Sequence, residues 1–188
     1  MIRSLDLRGK ALTKAGYQKA IPRAVLDIAA AMGAIEPILQ KVKTGTETDL
    51  IQLAQEFDGV TPAAIRVPQS ALDKALADLD PKIRAALELS ADRIRKVHND
   101  QTRGETTTKV VDGGVVIERW IPVDRVGLYV PGGRAVYPSS VMMNVIPAQI
   151  ARVASIAVAS PPQKEFGGLP HPTILATCAL LGITEVYA

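Results

Sequence analysis

The chain has 188 residues, 47% of them hydrophobic and 22% charged, values of an ordinary globular protein that exclude a disordered or fibrous chain. Its 22 basic and 19 acidic residues leave a net charge of +3. That surplus is spread along residues 1–104 and aromatics are only 4%, which argues against a nucleic-acid partner, because such proteins gather basic residues in a stripe or supply stacking rings.

Cys178 is the only cysteine, so no intrachain disulfide is possible, as expected in a reducing cytosol. The first twenty residues lack the apolar core of a signal peptide. No run approaches the roughly 20 apolar residues of a membrane span. The expectation is a soluble, cytoplasmic protein with no membrane partner.

Residues 1–104 read as mainly helical. Leu26, Ala29, Met32, Leu39 and Val42 fall near one stripe, widened by Ile28, Ile35 and Ile38. A second helix carries Leu50, Leu53, Ala54 and Phe57 and stops at Asp58-Gly59. A third carries Leu72, Leu76 and Leu79. Asp80-Pro81 then supplies a cap and a first-turn proline for a longer helix, whose inner face is predicted as Ile83, Leu87, Ile94 and Val97. Residues 105–124 form a hairpin and connector: Thr106 to Val111 and Val115 to Ile121 are β-prone, and Asp112-Gly113-Gly114 is the turn.

From residue 125 to 188 the pattern alternates. Val126 to Val130 is a short apolar run, Pro131-Gly132-Gly133 a loop, and Pro138-Ser139-Ser140 opens a helix reaching about Ala151. Ser155 to Ser160 is a second apolar run, Pro172 to Leu181 a second helix ended by Gly182, and Glu185 to Ala188 begins a third strand. Strand, helix, strand, helix, strand predicts an α/β fold with a parallel, Rossmann-like sheet. Strands that are apolar throughout predict helices on both faces. A sheet that stops within its third strand reads as part of a longer protein.

In such sheets ligands bind outside the carboxyl ends of the strands. The stretch from Val126 to Asn144, VGLYVPGGRAVYPSSVMMN, has the parts for this. Glycines let backbone approach a ligand, and the free N–H groups at a helix start favour anionic groups such as a pyrophosphate. Tyr129 can offer its ring and hydroxyl to a base or ribose. The same residues also permit a plain tight turn with Ser139 or Ser140 as a helix cap, and the GxGxxG fingerprint is absent. Elsewhere, His98 reads as a cation at a helix C-terminus and His171 as a loop residue. Cys178 reads as a buried structural thiol and Trp120 as a packing anchor. No catalytic group and no metal-ligand set can be assembled.

The run DRVGLYVPGGRAVYPSSVMMNVIPAQIARV resembles the signature region of histidinol dehydrogenases. The likeness continues upstream through FDGV, IRVPQSALDKALADLDPKIRAALELSADRIRKVH and ERWIPVDRVG, and downstream through VASPP and HPTILATCALLGITEVYA. It departs at Thr44 to Asp49, where many members carry a short Gly-Asp turn. The resemblance implies an NAD-dependent, zinc-containing homodimer that oxidises L-histidinol to L-histidine through an aldehyde. It implies that Tyr129 contacts NAD beside the turn of Gly132 and Gly133. The family's zinc ligands and its Glu-His proton-handling pair have no counterparts here, so this piece alone is expected to be inactive. The alternative is a stand-alone nucleotide-binding or dimerisation module without catalysis.

Overall fold

The computed structural model describes residues 4–21, 28–132 and 135–188. They divide into two units, Met1–Thr44 and Gly45–Ala188. In the first, α1 (Lys14–Ala20) is capped by Thr13, whose Oγ1 accepts from Gly16 N at 3.2 Å. The helix α2 (Ile28–Thr44) follows. Its stripe of Ile28, Met32, Ile35, Leu39 and Val42 is exposed at 45–71%, and no described residue of either helix is buried. Leu26, assigned to the same stripe by periodicity, lies outside the described residues.

The second unit starts with α3 (Glu47–Phe57), which ends at Asp58 with Gly59 at φ +67°, the left-handed stop its sequence predicts. Next come α4 (Gln69–Ala77) and α5 (Pro81–Asp100). Asp80 Oδ1 accepts from the N–H groups of Lys82 and Ile83, at 2.7 and 3.2 Å, the cap that Asp-Pro foretells. The inner face of α5 differs from the prediction. Leu87 and Ala91 are buried and Ile94 is partly so, while Ile83 and Val97 are exposed. The buried seam of α5, which packs on α6, thus runs through Leu87 and Ala91 rather than through its outermost large apolar residues.

The strands β1 (Thr106–Val111) and β2 (Gly114–Glu118) pair as a hairpin around Asp112-Gly113, with Gly113 at φ +78°. β2 stops three residues before the expected Ile121, because Glu118 already faces Thr106, the first residue of β1, and nothing remains to pair with. Trp120 is 54% exposed, with the Arg103 guanidinium 4.9 Å from its ring centroid. It is a cation–π partner at the surface, not the packing anchor expected.

The parallel sheet consists of β3 (Arg125–Tyr129), β4 (Ser155–Ala159) and β5 (Val186–Tyr187), in that spatial order. Arg125 to Tyr129 run beside Ser155 to Ala159, and Ala159 beside Tyr187. Between the strands lie α6 (Pro138–Ile150) and α7 (Pro172–Leu180). Right-handed crossovers in a simple 3-4-5 order place both helices on one face. The helix-facing residues Val130, Val158 and Val186 are fully buried with Val141, Val145 and Ile146 of α6 and Ile174, Leu175 and Cys178 of α7. Leu72 of α4 and Leu87 of α5 complete this core.

Two features depart from the expected sheet. On its other face Arg125, Gly127 and Tyr129 are exposed, and a Cβ built on Gly127 would meet nothing within 4 Å; helices do not cover both faces of β3 among the described residues. The outer edge of β5 is also occupied. Val67 N donates to Val186 O at 2.9 Å and Ala188 N to Ile65 O at 2.8 Å, an antiparallel addition by residues 65–67. This segment is held in turn by Glu47 Oε1, which accepts from Ile65 N at 3.0 Å.

Candidate functional site

The carboxyl edge of the sheet is where β3 and β4 release the chain into the loops before α6 and α7. Tyr129 ends β3 with its side chain on the open face, 64% exposed. Its carbonyl oxygen accepts from Asn144 Nδ2 of α6 at 3.4 Å. Val130 continues the ladder, donating to Ala159 O at 2.8 Å. Two residues later the chain folds inward at Gly132. A Cβ there would lie 3.3 Å from Pro161 Cδ, 3.3 Å from Gln163 Nε2 and 3.6 Å from Ser160 Oγ. The loop therefore sits against the end of β4 because residue 132 has no side chain. Gly133, assigned with Gly132 to the same turn, lies outside the described residues.

Two helices begin at this edge and their starts differ. The N-cap of α7 is His171, whose Nδ1 accepts from Thr173 N at 3.1 Å. That acceptor role requires an unprotonated Nδ1, and burial lowers the pKa of His171 below the ordinary imidazole value. His171 is thus a capping residue packed edge-to-face on Phe166 at 4.9 Å, more than the loop residue expected. The N-cap of α6 is Tyr137 and no side chain caps it. Ser139 and Ser140 lie inside the first turn, so neither is the cap that the sequence allowed. Pro138 has no N–H and the Ser140 N–H donates to Tyr137 O at 3.0 Å, so the start of α6 offers an anionic ligand at most the Ser139 N–H.

Ser160, the first residue after β4, is 2% exposed, and its Oγ has no hydrogen-bond partner. Sequence reading passed over Ser160, Asn144 and Gln163. The signal for Ser160 was present in the alternation: two residues beyond Val158, it must share that strand's buried face.

The opposite edge is built differently. Arg125 is ion-paired with Glu185 and donates to Ser155 Oγ at 2.6 Å, while Tyr187 Oη donates to Glu185 Oε1 at 2.6 Å. Beside this network lies a hollow of about 350 Å³ lined by Gln149, Ser155, Gly182 and Glu185. Gln149 donates there to Leu181 O at 2.7 Å, Ser155 and Glu185 are bonded to Arg125, and the hollow borders the amino ends of the strands. The glycine loop, the uncapped helix start and the unpaired hydroxyl all lie at the carboxyl edge, where α/β sheets bind ligands.

The remaining reactive groups serve structure. Cys178 is fully buried and its thiol is pushed up to about 12 by desolvation, far from the reactive thiolate range. His98 sits in the last turn of α5. Among the described residues no group of three or more His, Cys, Asp or Glu could hold a metal ion.

Residues 21–188 match the family model described as histidinol dehydrogenase. The chain belongs to the histidinol dehydrogenase family. It is 61% identical over 188 residues to the histidinol dehydrogenase of Thermobifida fusca (strain YX), a match covering all of this chain and 42% of that protein. Against the histidinol dehydrogenase of Nocardia farcinica (strain IFM 10152) it is 55% identical over 184 residues, 98% of this chain and 41% of that one. The crystal structure of histidinol dehydrogenase from Elizabethkingia anophelis superposes with a TM-score of 0.77 at 28% identity, over 89% of this chain and 37% of that chain. The chain thus spans about two fifths of the length of the histidinol dehydrogenases it matches. A stand-alone module is not favoured, since the relatives matched along almost the entire chain are enzymes by name. Among the described residues no helix is long and apolar enough to cross a membrane.

Proposed function

We propose that this chain forms part of the NAD platform of a histidinol dehydrogenase, a cytoplasmic homodimer that oxidises L-histidinol to L-histidine through an aldehyde with two NAD. The observation that carries the reading is the coincidence at one sheet edge of Tyr129, the Gly132 turn and an α6 start without a side-chain cap. These residues fit a dinucleotide. An exposed aromatic ring offers a face to a base or ribose, a side-chain-free residue leaves room for close approach, and the positive end of the α6 dipole suits a pyrophosphate. When bound, the nicotinamide supplies the hydride acceptor. This chain's own residues bind and orient it: Asn144 steadies the Tyr129 carbonyl, and the sheet holds Tyr129 in register beside Ala159.

Zinc does not fit the residues described here, because no ligand cluster exists among them. In this proposal the metal and the proton-handling groups belong to the remainder of the full-length enzyme, and the 188 residues alone do not turn over histidinol. The test is NADH formation from L-histidinol, measured on the full-length enzyme carrying this chain and on the 188-residue chain. Two NADH per histidinol from the former and none from the latter are expected. Absence of NADH from the full-length enzyme would defeat the reading.

A further inference from the structure

We infer that Ser160 is a binding residue of the carboxyl-edge site, its hydroxyl donating to a phosphate oxygen of the dinucleotide. This rests on the NAD reading above and deepens it. Two buried polar side chains occur among the described residues, Thr177 and Ser160. Thr177 is satisfied, its Oγ1 donating to Thr173 O at 2.7 Å. Ser160 Oγ is the buried side-chain polar atom with no partner. The backbone N–H of Ser160 is engaged, donating to Tyr187 O at 3.0 Å, while the hydroxyl is left over.

An unpaired buried hydroxyl lowers stability, whereas an alanine of similar size fills the same space without that cost. Alanine is what β4 carries at 157 and 159. Packing therefore does not call for a serine at 160, but a ligand would. The hydroxyl's surroundings identify the ligand's chemistry. It lies 3.6 Å from the point where a Gly132 Cβ would be, and the amide nitrogen of Gln163 lies 3.3 Å from the same point. The polar groups around the Gly132 turn can donate, namely the hydroxyl and the Gln163 amide nitrogen. Such a set recognises acceptor oxygens, and the pyrophosphate is the part of a dinucleotide that presents charged ones.

The experiment uses the full-length enzyme carrying this chain, as wild type, Ser160→Ala, Ser160→Cys and Tyr129→Ala. Each is titrated with NAD, ADP-ribose and adenosine, and each is melted. For Ser160→Ala and Ser160→Cys, affinity for NAD and ADP-ribose should fall about tenfold, as expected for one charge-assisted hydrogen bond. Adenosine binding should hold, and the melting temperature should stay level or rise. Unchanged NAD and ADP-ribose affinity in both Ser160 variants, with NAD binding weakened in Tyr129→Ala, overturns the inference and leaves the platform standing. A parallel loss for adenosine also overturns it, since the hydroxyl would then act through the shape of the edge. If Tyr129→Ala is unchanged as well, the NAD reading itself fails.

Discussion

Arg125 and Glu185 are ion-paired across the three-stranded sheet although 60 residues separate them in sequence. The pair ties the first residue of β3 to the residue before β5, and Ser155 and Tyr187 complete the network. Arg125 first, and Tyr187 next, hold the Glu185 carboxyl below its ordinary pKa. A carboxylate shifted in that direction stabilises the fold above the ordinary carboxylate range, and the contribution disappears as pH falls through the lowered value. Exposed ion pairs are individually weak, so the effect is modest.

Glu185→Gln should accordingly lower the melting temperature of the full-length enzyme at neutral pH. The gap to wild type should close on acidification, as Glu185 itself becomes protonated. Melts recorded from neutral to strongly acid pH check this. A gap that stays constant would mean that the charge of Glu185 contributes nothing.

His171→Ala should destabilise by about 1 kcal/mol, the usual cost of a lost N-cap, while His171→Asn should restore most of it. The pH sign follows from the cap. Burial depresses the His171 pKa, so its stabilisation is present above the ordinary imidazole value of about 6.5 and is lost as pH falls through the lower folded value. The stability difference between wild type and His171→Ala should therefore shrink in mild acid, which denaturant melts at several pH values would show.

Gly132→Val places a branched side chain where even a Cβ stands 3.3 Å from Pro161 Cδ. The proline ring cannot swing aside as the Gln163 amide can. Overpacking of this kind costs about 1–3 kcal/mol, and because it displaces the loop, NAD affinity should fall together with stability. Calorimetric titration with NAD and a thermal melt of the same sample measure both.

Local signals in the chain were enough to place most elements. Asp80-Pro81, Asp112-Gly113 and Gly182 act through their own backbone geometry, and Gly113 and Gly182 do adopt positive φ. The two apolar runs became β3 and β4 within a residue of their predicted bounds. What escaped depends on partners distant in sequence. Ile65-Arg66-Val67 is too short to read as a strand until β5 offers it an edge. The face of α5 is set by where α6 lies, and the exposure of Trp120 by the absence of a facing strand. At the site, Tyr129 and Gly132 could be picked from the strand-loop-helix pattern. The burial of Ser160 was legible from the β4 alternation, but its lack of a partner becomes visible only when the ends of β3 and β4 are brought together.

The most direct test of the NAD platform is the affinity of the full-length enzyme for NAD when Tyr129 is replaced by alanine. Base–aromatic stacking is worth about 1–3 kcal/mol, so the dissociation constant should rise about five- to hundredfold, with zinc content and melting temperature unchanged. An unaltered NAD affinity in Tyr129→Ala would contradict the assignment of this sheet edge to the cofactor.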